Sequence, residues 1–160
     1  MMEIEAKLAE MGLALPPPVL PPAGVELPLS FVRLHAGIAY ISGHGPQTAD
    51  GSLAGPFGKV GADVTIEAGC AAAQAVGLSM LGSLKRALGD LDRVAHWLRL
   101  HGMVNCAPDF AQQPAVINGC SQLILALYGA ERGAHARSAV GMAALPFNMC
   151  VEIEGAVAYA

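Results

Sequence analysis

From Met149 to Tyr159 the side chains alternate between two unlike sets. Val151, Ile153, Val157 and Tyr159 fall on one face of an extended chain, and Glu152, Glu154, Ala156 and Ala158 on the other, because successive residues of a strand point to opposite sides. The stretch from Ser138 to Leu145 reads as a companion strand, with Val140 and Met142 on the apolar face and Arg137, Ala139, Gly141 and Ala143 opposite. A sheet face left to water carries polar residues at most positions. Here the second face is mainly Ala and Gly, with two carboxylates and one guanidinium. This pattern predicts a sheet with helices on one side and a sister chain on the other. Cover by the N-terminal segment of the same chain is the plainer alternative.

Composition points the same way. Only 14% of the 160 residues are charged, against about 25% in ordinary domains, so some apolar surface is left for a partner to cover. The net charge of −4 comes with nine scattered Lys and Arg. Scattered cations do not neutralise a phosphate backbone, and few aromatics are present to stack bases, so nucleic acid is not an expected partner. Cys70, Cys106, Cys120 and Cys150 form no C-x-x-C pair, as suits reduced thiols and a cytoplasmic location. No run is apolar enough for a membrane span.

The length suits one domain. Residues 1–28 read as a short amphipathic helix from Met1 to Met11 and a proline-rich extended connector, Pro16 to Pro22; residues 29–160 hold the main domain. Leu29 to His35 and Ile38 to Ser42 form a hairpin across Ala36-Gly37. Thr65 to Leu88 is the strongest helix, with Thr65 as N-cap and Gly89 as stop. A strand follows from Val94 to Val104. A second helix opens at Pro108 or Pro114 and runs to about Tyr128. The last two strands are joined at Pro146-Phe147-Asn148. Helix, ββ, helix, β, helix, ββ predicts an α+β fold, two long helices on one face of a sheet of five or six strands.

Three segments carry a resemblance. His135-Ala136-Arg137-Ser138-Ala139-Val140-Gly141, then Leu145-Pro146, then Val151-Glu152-Ile153-Glu154 resemble the signature of the RidA/YjgF family, also called endoribonuclease L-PSP-like. Ile41-Ser42-Gly43-His44-Gly45-Pro46 is similar to its S-G-Q-x-P strand end, and Ile117-Asn118-Gly119 to its V-N on the second helix. The resemblance implies a chorismate-mutase-like fold assembled as a homotrimer with clefts between subunits. It further implies hydrolytic deamination of reactive enamines and imines, such as 2-aminoacrylate, to 2-keto acids and ammonia. By the match of motifs, Arg137 binds the substrate carboxylate and Glu152 positions or activates water. Gly43, Asn118 and the backbone of Ala139 line the pocket. The chemistry calls for no metal or cofactor. A guanidinium offers a rigid fork of donors for a carboxylate, and a carboxylate in a partly dry cleft is a fitting base for water.

The chain departs from the family where its enzymes carry a Tyr ahead of the first strand; Leu29 stands there. His44, in place of the family's Gln, is a candidate proton donor or simply a turn residue. The rival readings are a non-catalytic trimer that binds small carboxylates or partner proteins, with Arg137 and Glu152 a structural ion pair, and, third, an endoribonuclease. If the last two strands pair about Phe147, Arg137 stands opposite a residue near Val157, roughly 16 Å along the ladder from Glu152. The two then meet through long side chains, a shifted register or a subunit boundary.

Overall fold

The computed structural model describes residues 3–160. Its elements are helices α1 (Glu3–Glu10), α2 (Ile66–Leu88) and α3 (Gln113–Gly133), with strands β1 (Val32–His35), β2 (Ile38–His44), β3 (Val94–Asn105), β4 (Ala136–Met142) and β5 (Val151–Tyr159). The sheet runs β1-β2-β5-β3-β4, antiparallel except for the β3–β4 pair. Both long helices cover one face of this five-stranded sheet, as the order of elements predicts.

Local signals set the ends of the elements. Thr65 accepts a hydrogen bond from the backbone N–H of Ala68 at 3.1 Å, and Gly89 closes α2 in the left-handed region at φ 79°. Ala36 and Gly37 turn the β1–β2 hairpin, both with positive φ, the twist that two-residue hairpins favour. Gly129 interrupts α3 with φ 74° and ψ 177°, and a last helical turn continues to Gly133. The expected N-terminal helix is α1; its first two residues, Met1 and Met2, lie outside the described residues. Ile4 and Leu8 enter the core fully buried, and the Asp92 carboxylate accepts from the N–H groups of Glu3 and Ile4, satisfying donors that a helix start leaves open.

Two expectations about the C-terminal strands are overturned. β4 and β5 do not pair: β3 lies between them, so the chain crosses from one side of β3 to the other through Pro146–Asn148. The strand-helix-strand order β3-α3-β4 is a parallel crossover unit, and parallel neighbours need a connection of at least a dozen residues, which α3 provides. Nor does β4 present the expected faces. Arg137 pairs with Leu100 and Ala139 with Gly102, both on the helix side. Val140, 36% exposed, and Ser138 lie with Met103 and His101 on the open face. The reason is positional. An edge strand is half-wet on both faces, so apolar Val140 sits at little cost on the open side, while α3 supplies polar partners for Arg137 on the other.

β5 follows the expected alternation. Val151, Ile153 and Val157 are buried under the helices. Across the open face, Ala156 lies beside Tyr40 and Arg99, and Glu154 beside His101. The proline-rich connector does not lie across this face. Leu20 N–H donates to Gly51 O, Gln47 Nε2 to Pro17 O and Arg86 Nη1 to Pro16 O, which fixes the connector over the loop after β2 and against α2. It reaches the sheet only at the Glu152 end.

Candidate functional site

The residues singled out from the sequence fall into two clusters. The first lies between β4 and α3. Arg137 Nη1 donates to Asn118 Oδ1 at 2.9 Å and to Ser121 Oγ at 3.0 Å. Asn118 and Ser121 are three apart on α3, hence on one face of the helix. Ser121 Oγ is also 2.9 Å from His135 Nε2, and His135 Nδ1 is 2.7 Å from Gly133 O. A carbonyl only accepts, so Nδ1 carries the proton and Nε2 accepts from the Ser121 hydroxyl. The chain of bonds runs from Arg137 through Ser121 and His135 to the backbone. Of the five guanidinium N–H groups, the two on Nη1 are engaged. The Nε–Nη2 edge has no protein partner among the described residues, and that edge has the geometry for a carboxylate. Ala139 follows on the same face, packed against the core. Cys120, next to Ser121 but fully buried, is no nucleophile: burial pushes its thiol up to about 12, with Arg137 opposing.

The second cluster lies at the far end of β2 and β5. The Glu152 carboxylate lies against Gly43, where an added Cβ would collide with it. The bulge between Ile41 and His44 brings Gly43 to this position. Glu152 lines a cavity of about 230 Å³ whose other walls include Leu29, Phe31, Leu53, Phe147 and Met149. Burial raises its pKa above the ordinary carboxylate value, and the neighbouring Glu154 adds to the shift.

His44 stands beside this cavity but turns inward. It is 1% exposed, with Nδ1 2.6 Å from Ser42 O, Nε2 2.8 Å from Ser83 Oγ and its ring against Phe31. Burial lowers its pKa to about 4, so the ring is neutral near pH 7 and neither nitrogen is free for a ligand. It acts as a cross-link between β2 and α2.

Within one chain the clusters stay apart. Arg137 pairs with Leu100 on one side of β3, and Glu152 with Met103 on the other. The Arg137 side chain turns toward α3, whereas Glu152 alternates with buried Val151 and Ile153 and belongs to the opposite face. Thus the structure joins Arg137 with Asn118, and Glu152 with Gly43, but not the two pairs. Ser121 and His135 add to the site residues expected from the sequence. The i, i+3 spacing of Asn118 and Ser121 was the available signal.

Residues 5–154 match the family model described as "YjgF/chorismate_mutase-like, putative endoribonuclease". The chain belongs to the YjgF/RidA-like family. Protein TCP17 of Trypanosoma cruzi is a relative, 39% identical over 155 residues that cover 96% of this chain and 92% of TCP17. The crystal structure of Atu1372 from Agrobacterium tumefaciens superposes with a TM-score of 0.86 at 37% identity, covering 98% of this chain and 92% of that one. RidA from an Antarctic Psychrobacter shares the fold more distantly, with a TM-score of 0.54 and 23% identity over 86% of this chain and 92% of its own. The YjgF/RidA-like fold thus accounts for nearly the whole chain, α1 included. Among the described residues no helix is long and apolar enough to cross a membrane.

Proposed function

We propose that the protein is a hydrolytic deaminase of reactive enamine and imine carboxylates, acting as a cytoplasmic homotrimer. One observation carries the reading: Arg137 is held by Nη1 alone, leaving its Nε–Nη2 edge for an acid. An unpaired guanidinium fork braced from behind is arranged for recognition, not for a structural ion pair with Glu152, whose side chain is on the other face. A ligand that needs both groups then meets Arg137 of one subunit and Glu152 of the next, and the open face, which carries Tyr40, Met103, Val140 and Ala156, is the natural seam between them. Arg33, Arg99 and Glu154, which share a depression on that face without ion pairs among the described residues, would find partners there.

In this reading the substrate carboxylate lies on Arg137, and its protonated C=N carbon faces a water held by Glu152. The carboxylate takes a proton from the water as oxygen bonds to carbon. Glu152 passes that proton to the nitrogen of the resulting carbinolamine; the C–N bond then breaks as the hydroxyl gives its proton to Glu152, the 2-keto acid forms, and the departing ammonia takes that proton and leaves as ammonium. The raised pKa of Glu152 suits a base working near neutrality.

The second reading, a non-catalytic carboxylate-binding trimer, is favoured by one feature. Leu29 presents no hydroxyl where the family's enzymes have Tyr. The endoribonuclease reading is weaker, because the net charge is −4 and the buried, neutral His44 offers no proton transfer. Release of 2-keto acid from 2-aminoacrylate generated in situ by a dehydratase decides between the first two readings. Acceleration proportional to protein supports the deaminase; none at any dose removes it. Sedimentation equilibrium tests the assembly, with three chains per particle expected.

A further inference from the structure

The sheet face away from the helices holds a depression that the proposed chemistry leaves unused. Register places Arg33 opposite Tyr40, Tyr40 opposite Ala156 and Ala156 opposite Arg99. This row across β1, β2, β5 and β3 begins and ends in an arginine, with the two Cα atoms roughly 14 Å apart at the usual strand spacing. Between them lies a hollow of about 350 Å³, whose lining includes Arg33, Tyr40, Arg99, His101, Glu154 and Ala156. Small residues at its centre leave room for a ligand, and donors stand around the edge.

The charges of the hollow do not balance. Neither Arg33 nor Arg99 has an ion pair among the described residues, and Glu154 is the one carboxylate on the lining. Glu152, the other acid of β5 on this face, lies against Gly43 instead. The adjoining row of His35, Ile38, Ala158 and His96 holds no acid. A sister chain laid over this face brings two guanidiniums for each carboxylate, so symmetry keeps the surplus. Closure makes it worse, because a charge taken out of water without a partner is costly. His101 adds an independent sign. Its Nδ1 is buried without a hydrogen-bond partner among the described residues, and such an atom calls for a ligand or a water.

We propose that this hollow is a binding site for a small oxyanion of the phosphate class, held between Arg33 and Arg99. A guanidinium presents parallel N–H donors that match the oxygens of such an anion. A tetrahedral anion accepts from several directions, whereas a carboxylate accepts in one plane, so it can meet two guanidiniums from opposite sides. The Tyr40 hydroxyl stands between them as a further donor. Glu154, two residues along β5 from Ala156, opposes the anion and weakens its binding. The site is separate from the acid-binding edge of Arg137, which turns toward α3, and does not depend on the deaminase reading.

Equilibrium dialysis of the full chain against inorganic phosphate, at fixed pH and chloride, tests the site. Saturable binding is expected, weakened at least about tenfold in Arg33→Gln and in Arg99→Gln, within the range for a hydrogen bond to a charged group. Glu154→Gln should tighten binding by removing the opposing charge, a gain that misfolding cannot produce. Arg137→Ala should leave binding unchanged. Absence of saturable binding overturns the proposal, as does undiminished binding in both arginine variants. Loss of binding in Arg137→Ala overturns it too, by assigning the anion to that residue. If the unmodified chain binds no phosphate and Arg99→Gln lowers the sedimenting mass, the guanidiniums serve a sister chain's carboxylate and the proposal fails.

Discussion

The carboxylate of Glu152 occupies the place where a side chain on Gly43 would begin. Gly43 has no positive φ to explain its identity; the contact does. The three atoms nearest to an added Cβ would be Glu152 Oε1, Cδ and Cγ. Those atoms are the far end of a flexible side chain, so Gly43→Ala is expected to displace the carboxylate, not to unfold the protein. Keto acid release should fall at least about tenfold, as misplacement of a catalytic group does, while the thermal midpoint stays within a few degrees.

Glu152→Gln separates binding from chemistry. The amide keeps the shape but accepts no proton, so turnover should fall by about 10²–10⁴, the usual worth of a general base, with 2-oxobutanoate still bound. In the unmodified protein the acidic limb of kcat/KM should lie above the ordinary carboxylate value of 4.5, because burial and Glu154 both raise this group. A limb at or below that value would separate Glu152 from the rate.

Ser121 is the support behind Arg137. Ser121→Ala removes an acceptor from the guanidinium and leaves His135 Nε2 without its donor. Carboxylate affinity should weaken roughly tenfold, within the range for a hydrogen bond to a charged group. Because Asn118 still holds Nη1, the loss should be smaller than in Arg137→Ala, which is expected to abolish binding and leave the proposed trimer intact. Calorimetry and sedimentation on the two variants check both statements.

His44 makes stability depend on pH. Its folded pKa of about 4 lies below the unfolded value of 6.5, because burial disfavours the charged ring. Between those values the unfolded chain binds the proton and the fold does not, so stability falls as pH drops through this window. The loss from about pH 7.5 to about pH 5 should be about 2 kcal/mol. Glu152, raised in the fold, works in the opposite sense, weakening the fold as pH rises through its folded value. His44→Gln isolates the first effect: urea unfolding of the variant should lose most of the slope below pH 6.5.

The two long helices approach each other closely at Gly119. A Cβ there would strike the backbone carbonyl of Cys70 and lie 3.1 Å from Gln74 N, both on α2. Backbone cannot step aside as a carboxylate can. Gly119→Ala is therefore expected to cost about 1–3 kcal/mol, the usual penalty of overpacking, seen as a lowered urea midpoint.

What the sequence by itself determined is local. Thr65 and Gly89 bound α2 because a hydroxyl and a missing Cβ satisfy helix ends wherever they occur. Ala36-Gly37 turns the hairpin, and the alternation of β5 names its two faces, because a central strand is dry on one side along its whole length. The motif around Arg137, Leu145-Pro146 and Glu152 identifies the family. Tertiary structure alone decided the rest. β4 is an edge strand whose Arg/Ala/Gly and Ser/Val/Met sets are each half-exposed, so only α3, bringing Asn118 and Ser121 to Arg137, fixes which face is which. Likewise β3 enters between β4 and β5 because pairing partners are chosen by long-range packing, which no neighbouring residue records. That choice sends Arg137 and Glu152 to opposite faces, and it turns one apparent site into two halves.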